Sequence, residues 1–489
     1  YSCYLDSFQY KVQRKEVIHT MQPDIRTIFG SQREEASILG SLDTKERLER
    51  VLRIDNYLRN EKNLQGLYEA LYNDLRKPEV EVIATEVGII QSQISYIKKN
   101  LHKWDRDHKV STPLPLLGTR SYIRYEPKGV VLIMSPWNFP LNLSLVPLVY
   151  AIAAGNAVVL KPSEMSSHTS AYIRKMITEL FRWNEVAVVE GDATVATKLL
   201  ELPFDHIFFT GSPHVGKVIM SKAAEHLTSV TLELGGKSPA IIDETANIPQ
   251  IARRLAWAKS INCGQTCVTP DYVIIHDSKK REFIEEFRSS ITELYNSSGT
   301  GTEKSPDYCR IINHRHFKRL NSLYQDAIEK NAHLLTGGNF EEEELFISPT
   351  LLDNISEDMS IMQEEIFGPL LPVITYNDRS EVKDIIHRHP NPLMLYIASR
   401  DGKNIKFFMD GNPAGGTIIN DYMLGYSNPN LPFGGINNSG MGKSLGFHCF
   451  MEFSNKRSVI HRKWGSLGLI YPPYNDRVLW MVKALYRWM

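Results

Sequence analysis

Apolar positions change their spacing along the chain. Leu64, Leu67, Tyr68, Leu71 and Leu75 recur at i, i+3, i+4, i+7 and i+11, one face of a helix, and Leu48, Val51, Leu52 and Leu58 do the same just before. Residues 31–105 are therefore predicted to be mostly helical. The pattern then switches to short apolar runs, at 130–134, 157–160, 186–189, 207–209 and 240–242. The segments between them, such as 167–181 and 213–226, carry helical spacing. Such alternation predicts a parallel, doubly wound α/β sheet. Strands buried on both faces need no polar alternation, and these runs have none. Further runs near 272–276, 371–376 and 416–419 predict a second α/β domain. Residues 110–125 and 450–460 look strand-like but fit neither series.

Bulk properties narrow the class. With 489 residues, 42% hydrophobic and 23% charged, the chain suits a large soluble protein of roughly two to four units. A formal net charge of +0 gives no bulk electrostatic reason to expect nucleic acid. Five cysteines, at 3, 263, 267, 309 and 449, are too few and too odd for a disulfide framework and point to a reducing, cytoplasmic setting. No run of 18 apolar residues predicts an ordinary membrane span. The first 20 residues mix Lys11, Arg14, Lys15 and Glu16 without an apolar centre, unlike a secretory signal. Residues 1–24 read as an N-terminal extension, with Met21 a candidate natural start.

Several local patterns carry candidate chemistry. Gly211, Ser212 and Gly216-Lys217 sit at a strand-to-helix turn, where free N–H groups can hold a pyrophosphate. The spacing is nearly that of a P-loop, but Val218 stands where a magnesium-binding hydroxyl is needed. A turn that merely packs a helix is the equal alternative. Lys161-Pro162-Ser163-Glu164 follows a strand, at the crevice side of a parallel sheet. Lys161 and Glu164 there can bind ribose hydroxyls, and Glu164 would repel a 2′-phosphate; an acidic first helical turn is the plainer reading. Asn138, in Pro136-Trp137-Asn138-Phe139-Pro140, can offer an amide N–H to an oxyanion, or simply make a turn. Glu233, before Gly235-Gly236, can activate water, or be a plain surface glutamate. Cys267 lies in the polar setting Gly264-Gln265-Thr266-Cys267, suited to an exposed thiolate, with an inert core thiol as the plainer reading of a lone cysteine. Cys263 and Cys267 would share a helix face, but without clustered histidines no metal site is expected.

Together these motifs resemble the aldehyde dehydrogenase superfamily, in particular its class 3 and fatty-aldehyde branch. The likeness includes Pro136–Pro140, Ala154-Gly155-Asn156-Ala157, Lys161–Glu164, Phe209-Thr210-Gly211-Ser212 and Leu232-Glu233-Leu234-Gly235-Gly236-Lys237-Ser238-Pro239. It continues in Gly264–Cys267, Glu364-Glu365-Ile366-Phe367-Gly368-Pro369, Leu431-Pro432-Phe433-Gly434-Gly435 and Tyr471-Pro472-Pro473-Tyr474. The resemblance implies Cys267 as nucleophile, Asn138 and the Cys267 backbone N–H as oxyanion hole, and Glu233 as general base. It implies Lys161 and Glu164 on the adenosine ribose, Gly211, Ser212 and Gly216 along the pyrophosphate, and Trp137, Glu365 and Phe367 in the cofactor site, the last two at the nicotinamide ribose and ring. NAD is the implied cofactor, with NADP as the alternative, and the aldehyde is medium- to long-chain aliphatic or aromatic. The thiol is expected to have a locally lowered pKa.

The same resemblance implies a Rossmann-like NAD(P)-binding domain over 25–109 and 126–234, and an α/β catalytic domain over 235–440. A small β element bridging two subunits of a homodimer would comprise 110–125 and 441–460. The remaining 461–489 form an apolar tail carrying Lys483 and Arg487, too short to span a bilayer. Membrane-surface contact, capping of a substrate funnel, and packing on a dimer partner all stay open for it. Two departures bear on the pocket. Asn420-Asp421 leads to Gly425 where relatives usually carry His, and Gly440-Met441-Gly442 is followed by Lys443-Ser444-Leu445-Gly446 where they often have Tyr-His-Gly.

Overall fold

The structure is a computed structural model that describes residues 23–466, 468 and 471–487; the extension up to residue 22 lies outside the described residues. The helical first part begins with Ile25–Ser41, Thr44–Leu58 and Glu61–Leu75. Their starts are fixed by Asp24, Asp43 and Asn60, whose side chains accept first-turn N–H groups. The helix Gly88–Trp104 follows a single widened turn, Ile83–Val87.

Six strands form the first sheet, in the order Gly440–Met441, Ser229–Leu234, His206–Gly211, Val130–Met134, Ala157–Lys161, Val186–Val188. All pair in parallel except Gly440–Met441. Val131 and Ile133 enter one core, while Val130, Leu132 and Met134 enter another on the opposite face. Both faces are therefore dry, which is why the sequence shows continuous apolar runs. The first strand in chain order lies inside the sheet, with later strands added on either side of it. The resulting switch point puts a crevice beyond Met134 and Gly211.

The second sheet has seven strands, in the order His333–Thr336, Thr350–Asp353, Leu370–Tyr376, Tyr272–His276, Pro239–Ile242, Met394–Ala398, Gly416–Ile419. Only His333–Thr336 pairs antiparallel. The run 240–242, grouped by spacing with the first series, belongs here. The strand Ser229–Leu234 escaped the sequence pattern because Thr231 and Glu233 interrupt its apolar residues. Between these two strands lie only residues 235–238. The chain thus leaves the carboxyl end of one sheet and enters the amino end of the other within four residues, and the two edges face each other.

The third sheet pairs His108–Lys109, Thr119–Pro127 and Ser454–Arg462 antiparallel. The strand-like stretch 110–125 starts late, because Pro113 and Pro115 supply no N–H groups and a short turn forms at Leu114–Leu116. Residues 450–452 end the helix Gly446–Glu452, whose Cys449 and Phe450 are buried. Asn156 locks this sheet to the first one: its side chain accepts from the Gly129 N–H (2.9 Å) and donates to Ala151 O (3.1 Å) and Phe453 O (3.0 Å). The helix Asp476–Arg487 leaves Leu479, Trp480 and Val482 exposed. Among the described residues no helix is long and apolar enough to cross a membrane.

Candidate active site

A cleft of about 640 Å³ lies where the two sheet edges meet. Trp137, Asn138, Gly211, Ser212, Glu233, Cys267, Glu365 and Phe367 all line it. Lys161, Glu164 and Gly216 lie outside its wall.

The segment before Cys267 takes an uncommon path. Asn262, Cys263 and Gly264 adopt φ of 50°, 55° and 70° in succession. Left-handed backbone at two non-glycine residues is strained, so the surroundings must hold it. Gln265 does much of this: Nε2 donates to Asn262 O (3.0 Å) and Arg310 O (2.9 Å), and Oε1 accepts from the Ile312 N–H (3.0 Å). Because the segment is not an α-helix, the two cysteines do not share a face. Cys263 is buried beside the Tyr308 hydroxyl (3.4 Å), whereas Cys267 reaches the cleft.

The expected lowering of the Cys267 thiol is absent. Burial, then the Glu365 and Glu233 carboxyls, push it up to about 12, against its own and Val268's backbone N–H groups. The physical reason is a dry pocket with acidic neighbours and no cation close enough to compensate.

Asn138 is held from behind. Its side-chain amide donates to Gln265 O (3.0 Å), while its backbone carbonyl accepts from Asn262 Nδ2 (2.9 Å) and Lys77 Nζ (3.3 Å). Lys77 and Glu86 form a fully buried ion pair at 2.9 Å, and Glu86 also accepts the Asn142 N–H (2.7 Å). An amide has two hydrogens, so Asn138 keeps one donor for the cleft.

Glu233 is buried near the end of its strand, and among the described residues neither carboxylate oxygen has a well-formed hydrogen bond, although the Ser444 hydroxyl and N–H lie near enough to favour its charged form. Burial holds its carboxyl up to about 8. Glu365 is pushed to about 8 as well, by burial and then Asp271. Phe367 has φ of 51° and meets the Trp137 ring edge-on at 5.4 Å.

The pyrophosphate turn is poorer in donors than the sequence suggests. Ser212 caps the helix Pro213–Ala224 and takes the Val215 N–H, Pro213 has none, and the Gly216 N–H bonds Ser212 O. His214 is left as the first-turn donor. Packing explains both glycines, since a Cβ at Gly211 would strike the Phe209 ring and one at Gly216 would approach Leu234 Cδ2 to 2.8 Å. Lys161 Nζ sits 3.3 Å from Glu164 at a strand end, poised for polar contacts. Two desolvated carboxyls, Glu233 and Glu365, suit a cationic ring in the cleft.

Sequence reasoning passed over Lys77, Glu86, Lys237, Asp271, His316 and Arg319. The last two enter the cleft from the helix His314–Glu329, one turn apart, and that spacing was a readable signal. Lys77 and Glu86 gave none, because nothing local says that two charges nine residues apart are buried together.

Comparison with known proteins follows from this geometry. The family model described as "Aldehyde dehydrogenase family" matches residues 13–459. The 4,4'-diaponeurosporen-aldehyde dehydrogenase of Staphylococcus aureus (strain NCTC 8325 / PS 47) is 43% identical over 422 residues, covering 86% of this chain and 90% of the relative. A solved structure described as the substrate-bound state of Staphylococcus aureus AldH superimposes with a TM-score of 0.90 at 40% identity, covering 95% of this chain and 100% of that one. The Mycobacterium tuberculosis aldehyde dehydrogenase complexed with NAD+ gives 0.79 at 26% identity, covering 90% of each chain.

The raised Glu233 carboxyl has a consequence for stability. Its folded value of about 8 exceeds the ordinary 4.5, so the folded chain keeps a proton that the unfolded chain loses. Stability therefore falls as pH rises from 4.5 to 8, and the penalty is constant above. Glu233→Gln, permanently neutral, should raise the melting temperature of the cofactor-free protein more at pH 8.5 than at pH 5.5. Scanning calorimetry at both values checks this, and equal increments would contradict it.

Proposed function

The chain belongs to the aldehyde dehydrogenase family, whose activity is NAD(P)-dependent aldehyde oxidation, and we propose that it oxidises an apolar aldehyde through a covalent Cys267 thioester. The aldehyde is medium- to long-chain aliphatic or aromatic, and NAD is the preferred acceptor. One observation carries the reading: Asn138, Glu233 and Cys267, far apart in sequence, line one cleft.

The chemistry follows from these side chains. Cys267 sulfur bonds the aldehyde carbon as the thiol proton passes to water. The carbonyl oxygen becomes an alkoxide, to which Asn138 Nδ2 and the Cys267 backbone N–H donate; such a donor is typically worth about 3–4 kcal/mol. An oxidised nicotinamide, when bound, would accept the hydride lost from the aldehyde carbon as the C=O bond re-forms to leave the thioester, and would bring a positive ring charge. Glu365 and Phe367 orient its ribose and ring, Trp137 backs Phe367, and Lys161 with Glu164 holds the adenosine ribose. Gly211, Ser212 and Gly216 form the pyrophosphate side. Glu164 repels a 2′-phosphate, which favours NAD. In the resulting thioester, water attacks the acyl carbon while Glu233 takes its proton; the C–S bond breaks and a carboxylate leaves.

Two surfaces extend the reading. The strand Ser454–Arg462 is a sheet edge, exposed along most of its length, and a second copy of this chain would pair there. The amphipathic helix Asp476–Arg487 would rest on a lipid surface and draw apolar aldehydes toward the cleft. The bridging role of residues 110–125 and 441–460 rests on the same edge, as part of the proposed division into cofactor and catalytic domains.

Cys267→Ala should abolish NADH formation, whereas Glu233→Gln should keep the pre-steady-state NADH burst and lose steady turnover. Stopped-flow absorbance with aliphatic and aromatic aldehydes, and with both cofactors, tests this; full turnover by Cys267→Ala would end the reading. Ser458→Pro, at the middle of the edge strand, should convert a dimer into a monomer in sedimentation velocity. A dimer that survives would place the interface elsewhere. Removing residues 476–489 should abolish binding to phosphatidylcholine vesicles and weaken long-chain more than short-chain oxidation. An unchanged chain-length profile would assign the helix to packing alone.

A further inference from the structure

Glu233 is asked to carry a negative charge in a place that resists one. The groups facing it are named by the structure. From its own sheet the neighbouring strand Gly440–Met441 pairs Gly440 with Glu233, and the chain then turns at Gly442 into Lys443 and Ser444. Ser444 exchanges both backbone hydrogen bonds with Phe433, at 3.0 and 2.7 Å, which pins this segment against Gly434. Lys443 Nζ donates to Gly434 O (2.6 Å) and Gly435 O (3.0 Å). A side chain placed on Gly434 would lie 3.0 Å from Glu233 Oε1 and 3.2 Å from Lys443 Cδ. Little more than one glycine therefore separates the carboxyl from the lysine stem. An ammonium has three donors, and two are used.

We propose that Lys443 is a positioning residue for Glu233, its tethered ammonium supplying the local positive charge that lets the buried carboxylate form and take a proton from water. The proposal rests on the reading of Glu233 as the deacylating base. The Ser444 hydroxyl and then Lys443 counteract the burial of Glu233, and Glu452 works in the opposite direction. Cys267, Tyr426 and Cys449 also sense the Glu233 charge, and each adds only a repulsive partner. Lys443 is thus the cation among the groups facing this carboxyl. It lies in the stretch Lys443-Ser444-Leu445-Gly446, directly after the strand Gly440–Met441 that pairs with Glu233. Gly434 lets the two approach, and any larger residue would stand between them.

Single-turnover hydrolysis of the acyl enzyme, formed with hexanal and NAD, tests this between pH 6 and 10. Lys443→Gln removes the charge and keeps a hydrogen-bonding amide. It should retain the NADH burst, slow deacylation at pH 7 about tenfold, and move the midpoint of the pH profile up by about one unit. Lys443→Met should reproduce the shift, Lys443→Arg should restore the wild-type midpoint, and Lys443→Gln should add nothing in a Glu233→Gln background. An unmoved midpoint with the burst intact overturns the proposal and leaves Glu233 as the base. Loss of the burst also overturns it, since Lys443 would then support the whole site. Normal deacylation by Glu233→Gln removes the base assignment itself, a result distinct from either.

Discussion

The ion pair between Lys237 and Asp271 sets the geometry on which the site depends. Lys237 Nζ lies 2.5 Å from Asp271 Oδ2 and also donates to Ile361 O (2.9 Å) and Glu364 O (3.0 Å). Asp271 Oδ1 accepts the Ile366 N–H at 2.9 Å, and the Asp271 N–H bonds Ser238 O at 2.8 Å. Three segments are thereby joined. Glu233 lies four residues before Lys237, Cys267 four before Asp271, and Glu365 and Phe367 flank Ile366. Both charges are buried, so the pair adds little net stability after desolvation, yet losing one partner would cost about 3–5 kcal/mol. Its contribution is placement: one contact fixes the spacing of the candidate nucleophile, base and ring-positioning loop.

The same low-dielectric interior explains the electrostatics. Burial raises the Cys267 thiol and both carboxyls together, so each of these three favours its neutral form. A cleft holding three groups that would rather be neutral responds strongly to any cation entering it. Lys77 and Glu86 show the opposite arrangement, two full charges buried in mutual contact, and they support the turn carrying Asn138 without facing the cleft. These two charges thus serve as scaffolding behind the site, while Lys237 and Arg319 bring charge to the cleft wall itself.

How much of this was legible from the chain depended on whether the signal was local. The doubly wound sheets were legible because strands buried on both faces must be apolar throughout, as Val130–Met134 is. Ser229–Leu234 was missed because Glu233, the residue of interest, spoils that very pattern. The strand-like reading of 450–452 failed because Cys449 and Phe450 bury equally well on a short helix. At the site, motifs pointed to residues that the fold brings together in one cleft. The lowered thiol did not follow, since pKa depends on dehydration and on distant carboxyls, neither of which a linear sequence displays.

The direction of the chain through the site explains why so few residues suffice. Strand Ser229–Leu234 points its carboxyl end at the cleft, and Pro239–Ile242 begins there, so a four-residue link carries the backbone from one sheet to the other. A link that short leaves no freedom for Glu233 to wander relative to Cys267. At Gly235 within it, a Cβ would meet the end of the Glu365 side chain, so that carboxyl would have to shift. Behind Cys267, the positive φ of Gly264 and the nearby Gly368 carbonyl exclude a side chain. Gly211, Gly235 and Gly236 line the cleft, so backbone takes the place of side chains there. The precision of the site is therefore a property of two sheets meeting end to end, with buried ion pairs setting the gap and glycines keeping it open.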